Sequence, residues 1–157
     1  LFFLGRFMTN LPYTHPWYHL APYVHKSTGL IVMALLAIRT VWVITLKRPV
    51  FLPMPRWESL LALFVQKSFY FLLFGITISG YLIPTADGGG IEVFGLFTVP
   101  ALFAGFEHQE DIAGEVHYLL TYLLMFFLAL HTMGALKHHF IDRDETLTRM
   151  LGIDGKK

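Results

Sequence analysis

The sequence predicts an all-α membrane protein, a bundle of four transmembrane helices with the first helix truncated. Three observations carry this expectation. Of the 157 residues, 55% are hydrophobic and 16% aromatic, and the mean hydropathy is +0.55, too apolar for a soluble domain of this size. Apolar runs at residues 25–46, 60–83 and 112–137 are each long enough to cross a hydrocarbon layer of about 30 Å. The last run, inside IAGEVHYLLTYLLMFFLALHTMGALKHHF, holds His117 and His131 fourteen residues apart, which on a helix is about 21 Å and roughly four whole turns. Both imidazoles then leave one face at two membrane depths. A histidine in a span can simply hydrogen-bond a neighbouring carbonyl, but two on one face point to ligation, because ionisable groups in spans are costly and usually face the bundle interior for a purpose.

Taken in order, residues 1–8 (LFFLGRFM) are too short to span and lack the charged n-region of a signal peptide, so they are expected to end a helix whose beginning is missing. NLPYTHPWYHLAPYV, residues 10–24, combines prolines with Trp, Tyr and His and suits an interfacial loop, in which His15 and His19 read as surface residues. His25 and Lys26 open the second run, which Lys47, Arg48 and Pro49 close. Arg39 inside it either snorkels to the headgroups or faces a cofactor carboxylate. The proline-rich, basic linker 47–59 cannot continue a helix. In the third run, Gly75 and Gly80 allow close approach of a flat macrocycle or serve plain helix packing. Residues 84–111 are the longest connection. Gly95, Pro100 and Gly105 interrupt its apolar half, so it is expected to lie on the interface or cap the bundle. The last run is followed by a tail, 138–157, and the whole chain, 1–157, reads as one domain without repeats.

Orientation follows from Lys and Arg. None occurs between Pro84 and Val116, whereas the linker has Lys47, Arg48 and Arg56 and the tail region has Lys137, Arg143, Arg149, Lys156 and Lys157. By the positive-inside rule the linker and the C-terminus are cytoplasmic, and a first helix rising from inside places the N-terminus there too. The net charge of +1 argues for no nucleic-acid partner.

The absence of cysteine excludes disulfides, thiolate metal sites, iron–sulfur clusters and thioether-linked haem. In this topology the second and fourth spans run parallel, so His25 and His117 sit at similar outer depth and can be the axial partners of one haem iron. His131 needs a partner near the inner side, where the visible spans offer only Arg39, Gln66 and Lys67. That partner is expected on the missing part of the first helix. Neutral imidazoles on both axial positions suit a low-spin electron-transfer haem. Zinc fits less well, since structural zinc takes four N or S ligands and this set supplies pairs.

His25 opening the second span, the His117/His131 pair and the tail ALKHHFIDRDETLTRM resemble the prokaryotic cytochrome b561 family of four-helix di-haem b proteins of the bacterial inner membrane; WYHLAPYVHKSTG and GYLIPTADGGGIEVFG are similar to its quinone-linked branch. The resemblance implies two b haems, the outer on His25 and His117, the inner on His131 and a histidine upstream of Leu1. It also implies ubiquinone near the inner haem at His138, which could donate to a quinone carbonyl and take up its proton; otherwise His138 is an interfacial histidine beside Lys137. One departure is that many relatives have a histidine early in the third span, where this chain has Gln66 and Lys67.

Electrons are thus expected to pass between a periplasmic donor or acceptor, two haems and membrane quinone, with Lys26 placed to pair with an outer haem propionate. Some family members oxidise superoxide and pass the electron to ubiquinone. The acidic set Asp87, Glu92, Glu107, Glu110, Asp111 and Glu115, with Lys26 the basic group nearest His25, favours instead a cationic or neutral outer partner such as a soluble electron carrier. A cytochrome b subunit of a larger respiratory complex, docking through residues 91–106, is a rival reading. So is a metal transporter, although no broken helices or repeats are apparent.

Overall fold

The computed structural model describes residues 1–46, 55–144 and 148. Its helices are α1 (Phe2–Met8), α2 (Leu20–Thr45), α3 (Arg56–Leu82) and α4 (Gln109–Lys137), the last running on into a π-helical turn at His138–Asp142. α2, α3 and the continuous α4 segment are long and apolar enough to cross a membrane. They turn large apolar side chains outward, among them Ile38, Trp42, Ile44, Phe71 and Phe126, as helices solvated by lipid do. Hydroxyls within the spans are satisfied locally: Thr28, Thr40, Thr77 and Thr132 each donate to the carbonyl four residues back.

All three spanning helices begin earlier than their apolar runs, α4 at Gln109 rather than residue 112. α2 starts at Leu20, so residues 20–24 are helix, not interfacial loop; Pro22 lies in its first turn, where a missing N–H costs no hydrogen bond. α3 starts at Arg56 behind Pro55, with Glu58 in its first turn against the positive end of the helix dipole, so residues 56–59 are not linker. Linker residues 47–54, with Lys47 and Arg48, and tail residues Arg149, Lys156 and Lys157 lie outside the described residues.

α3 runs antiparallel to α4: Glu58 pairs with Lys137 at one end, and Gly75 and Gly80 face Leu120 and His117 towards the other. α2 packs on the far end of α3, Leu30 and Met33 against Tyr81 and Leu82. The short α1 lies antiparallel to α4, with Phe2 edge-on to Tyr122 at 5.4 Å and the Arg6 guanidinium 5.9 Å from the Tyr118 ring.

Over the end formed by the start of α2 and the close of α3 sits a hairpin that the sequence pattern does not announce. β1 (Ile91–Val93) pairs antiparallel with β2 (Phe97–Val99), Ile91 opposite Val99 and Val93 opposite Phe97. Phe94 and Gly95 turn the chain at positive φ, 47° and 71°. Ile91 and Val93 bury themselves against Leu30 and Tyr81. Side chains from the spans then hold the hairpin in place. The Ser27 hydroxyl donates to Glu92 O at 3.2 Å and accepts from Phe94 N–H at 3.3 Å. The Tyr81 hydroxyl donates to Pro100 O at 2.7 Å and accepts from Leu102 N–H at 2.6 Å. Gln109 donates to Leu82 O at 2.9 Å and Phe103 O at 3.3 Å.

Candidate functional site

Beneath this cap, His25 from α2 and His117 from α4 bring their rings together, the centroids 6.2 Å apart and the planes at 77°. Each ring is backed by a glycine of a neighbouring helix. A Cβ on Gly80 of α3 would stand 2.9 Å from His117 Cε1, and one on Gly5 of α1 would stand 3.2 Å from His25 Cε1. The bare backbone at Gly80 lets the His117 ring reach down to α3, where Nδ1 lies 2.9 Å from Ile76 O and 3.4 Å from the Ser79 hydroxyl. A carbonyl can only accept, so Nδ1 carries the proton and Nε2 of the neutral ring is left with a free lone pair.

This is the arrangement of a ligating histidine, whose second nitrogen is held by an outer acceptor that fixes tautomer and ring orientation. His25 Nδ1, by contrast, is buried with no hydrogen-bond partner among the described residues, a state that costs about 1–3 kcal/mol in a site with no other use for the ring. Two imidazoles on opposite sides of one metal atom, with N–metal bonds of about 2 Å, place their ring centres about 6 Å apart. The observed ring separation is of that size, and with only N donors the pair would suit a haem iron.

Of the other predicted residues, only Lys26, next to His25 in the chain, is near this pair. His131, further along α4, is edge-on to Phe69 at 5.4 Å, and among the described residues the only pair of imidazole rings in contact is His25 with His117. Lys26 is partly buried on α2 and Arg39 is exposed near its far end; neither has a salt-bridge partner among the described residues. His15 accepts from Trp17 N–H at 3.1 Å and packs on Phe7, away from the pair.

His138 stands in a charged cluster at the opposite end of the bundle. Its Nδ1 is 2.9 Å from Asp142 and 3.0 Å from Asp144, and its Nε2 is 3.8 Å from Glu58. Lys137 Nζ reaches both Glu58 and Asp142 at 2.7 Å. The π turn and the left-handed Arg143 bring Asp142 and Asp144 back onto the imidazole. Glu58, His138 and Asp142 lie close enough to chelate a metal, but the Lys137 ammonium already supplies the cation they require.

Sequence reasoning missed four contributors. Glu58 falls within the linker by its proline-rich surroundings. Gly5 and Ser79 carry no pattern of their own, and Arg6, the neighbour of Gly5, stacks on Tyr118, the neighbour of His117.

Lipid-facing helices with two neutral, adjacent imidazoles between them, and no thiol in the sequence, define the class: a helical membrane protein able to hold a metal macrocycle between two of its spans. Comparison with known proteins agrees. Residues 1–152 match the family model described as prokaryotic cytochrome b561. The chain is 45% identical over 155 residues to cytochrome b561 homolog 2 of Escherichia coli (strain K12), covering 97% of this chain and 81% of that protein. It is 29% identical over 137 residues to the probable superoxide oxidase CybB of Yersinia pestis, covering 87% of this chain and 76% of that one. The chain belongs to the prokaryotic cytochrome b561 family, and so is a multi-pass bacterial inner-membrane cytochrome b that transfers electrons.

Proposed function

We propose that this protein carries electrons across the membrane between a periplasmic donor or acceptor and membrane quinone, through two b haems. The observation that carries the reading is the adjacent pair His25 and His117, each ring seated against a glycine backbone. These two residues would hold the outer haem, which would supply one-electron redox chemistry when bound. Ile76 O and Ser79 orient His117, while Lys26 and Arg6 offer positive charge to haem carboxylates.

His131 holds the inner haem, about 21 Å along α4. Quinone binds on the same side near His138, whose ring the Asp142 and Asp144 carboxylates hold ready to exchange a proton with a reduced quinone oxygen. The hairpin end then faces the periplasm and both termini face the cytoplasm.

A redox titration of full-length protein, with quinol and with candidate soluble donors, tests this. Two b-type transitions, one reduced by quinol, are expected. A single haem per full-length chain would refute the two-haem reading.

Superoxide oxidation is the second reading, supported by the name of the Yersinia pestis relative and by the extra charge of Arg6. Against it stand the acidic residues of the α3–α4 connection and of the start of α4, which repel an anion. Stopped-flow reduction by superoxide at low salt separates the two: a rate near the diffusion limit that falls with added salt favours superoxide. A cytochrome b subunit of a larger complex would instead purify with other polypeptides.

A further inference from the structure

We propose that residues 93–106, the charge-free centre of the α3–α4 connection, form a lipid-docking surface seated in the headgroup and acyl boundary of the leaflet on the hairpin side. This goes beyond the electron-transfer reading and does not depend on it.

The connection is divided by charge. Asp87 and Glu92 lie on one flank and Glu107, Glu110 and Asp111 on the other, while VFGLFTVPALFAGF between them holds no ionisable side chain. It is also divided by burial. Ile91 and Val93 are 3% and 1% exposed, filling the core beneath the hairpin, whereas Leu96, Phe97, Leu102 and Phe103 are 79%, 57%, 69% and 68% exposed. These side chains are not outward because the loop is loose. Tyr81 grips the backbone at Pro100 and Leu102, and Gln109 grips it at Phe103.

The same bonds set the depth. Gln109, the first residue of α4, joins Phe103 O to Leu82 O, the last carbonyl of α3. The apolar surface is therefore held level with the points where two spans leave the hydrocarbon. Tyr13 and Trp17, exposed on the α1–α2 loop of the same end, are the residue types that mark the headgroup layer. Lipid is the one occupant present at that level whatever else binds. Leaving it in water would cost about 25 cal/mol for each Å² of apolar area. Anchored from this side, the cap keeps its acidic flanks towards water, where a donor approaches the His25/His117 site.

These 157 residues hold no cysteine, so single-cysteine variants can be spin-labelled without background from them. Leu96→Cys, Leu102→Cys and Phe103→Cys, with Asp87→Cys and Glu107→Cys as controls, are compared in lipid nanodiscs for collision with oxygen and with a water-soluble nickel chelate. The haem spectrum of each variant checks folding, and three test positions guard against the loss of any one. Severalfold greater accessibility to oxygen than to nickel at 96, 102 and 103, reversed at 87 and 107, is the expected result. Nickel accessibility at the test positions equal to that at 107 would overturn the proposal in favour of a soluble partner's docking face. Protection from both reagents would overturn it in favour of a second copy of the chain or another subunit.

Discussion

The imidazole of His117 occupies the space a side chain on residue 80 would need: a Cβ at Gly80 would stand 2.9 Å from its Cε1. Because that space is open, His117 can lie against α3 and donate to the Ile76 carbonyl. If His25 and His117 hold haem as proposed, the Gly80→Ala protein is expected to lose most of the haem bound there, since ring and helix must separate and the ring's orientation goes with them. Haem-to-protein stoichiometry and the reduced α-band measure this. Gly5→Ala, with a looser 3.2 Å contact to His25, should retain haem and shift only the spectrum or potential. Equal loss in both variants would show that the ranking of the two contacts is wrong.

Gly114 and Gly134 of α4 have open space where a methyl group would sit, with nothing beyond the chain neighbours and the helix's own backbone within 4 Å among the described residues, and both lie inside regular helix, so neither needs to be glycine. Gly134→Ala should leave haem content unchanged and raise stability by up to about 1 kcal/mol, because alanine loses less backbone entropy on forming helix. Thermal unfolding in detergent reads it.

Tyr81 ties the cap to α3 through one hydroxyl that both donates and accepts. Tyr81→Phe leaves Pro100 O and Leu102 N–H without that partner and should cost about 1–3 kcal/mol. The expected signature is faster proteolysis within the 94–106 connection, with the His25/His117 spectrum kept. An unchanged cleavage rate would mean that the strand pairing and Gln109 suffice to hold the cap.

Lys137 balances Glu58 and Asp142 at the far end of the bundle. Lys137→Met should lower the melting temperature, and Glu58→Gln introduced with it should recover part of the loss, because the uncompensated carboxylate is removed. Additive effects of the two substitutions would show that the pair is not coupled. His138→Asn should slow quinone-linked turnover while leaving dithionite-reduced haem spectra intact; loss of haem instead would reassign His138 to a structural role.

Legibility differed by element, for physical reasons. Apolar runs of membrane length and a fourteen-residue histidine spacing are local properties of a chain in lipid, so the helices, the parallel course of the second and last spans and the candidate ligands could all be read directly. Helix starts at Leu20 and Arg56 were obscured because Pro22 and Pro55 look like breakers until their place at a first turn is known. The strands β1 and β2 are three residues each, too short to show alternation, and are stabilised by Ser27, Tyr81 and Gln109 from distant parts of the chain.

The sequence alone determined that this protein crosses a membrane with histidines placed inside its spans, because the bilayer acts on each segment separately. Only the tertiary structure decided that His25 meets His117 over two glycines, that Ile76 O holds the ring, and that Glu58 closes a charged cluster with Lys137 and His138. Those contacts join residues far apart in the chain, 41 positions for Ile76 and His117 and 79 for Glu58 and Lys137, and no local pattern records which faces of which helices come together.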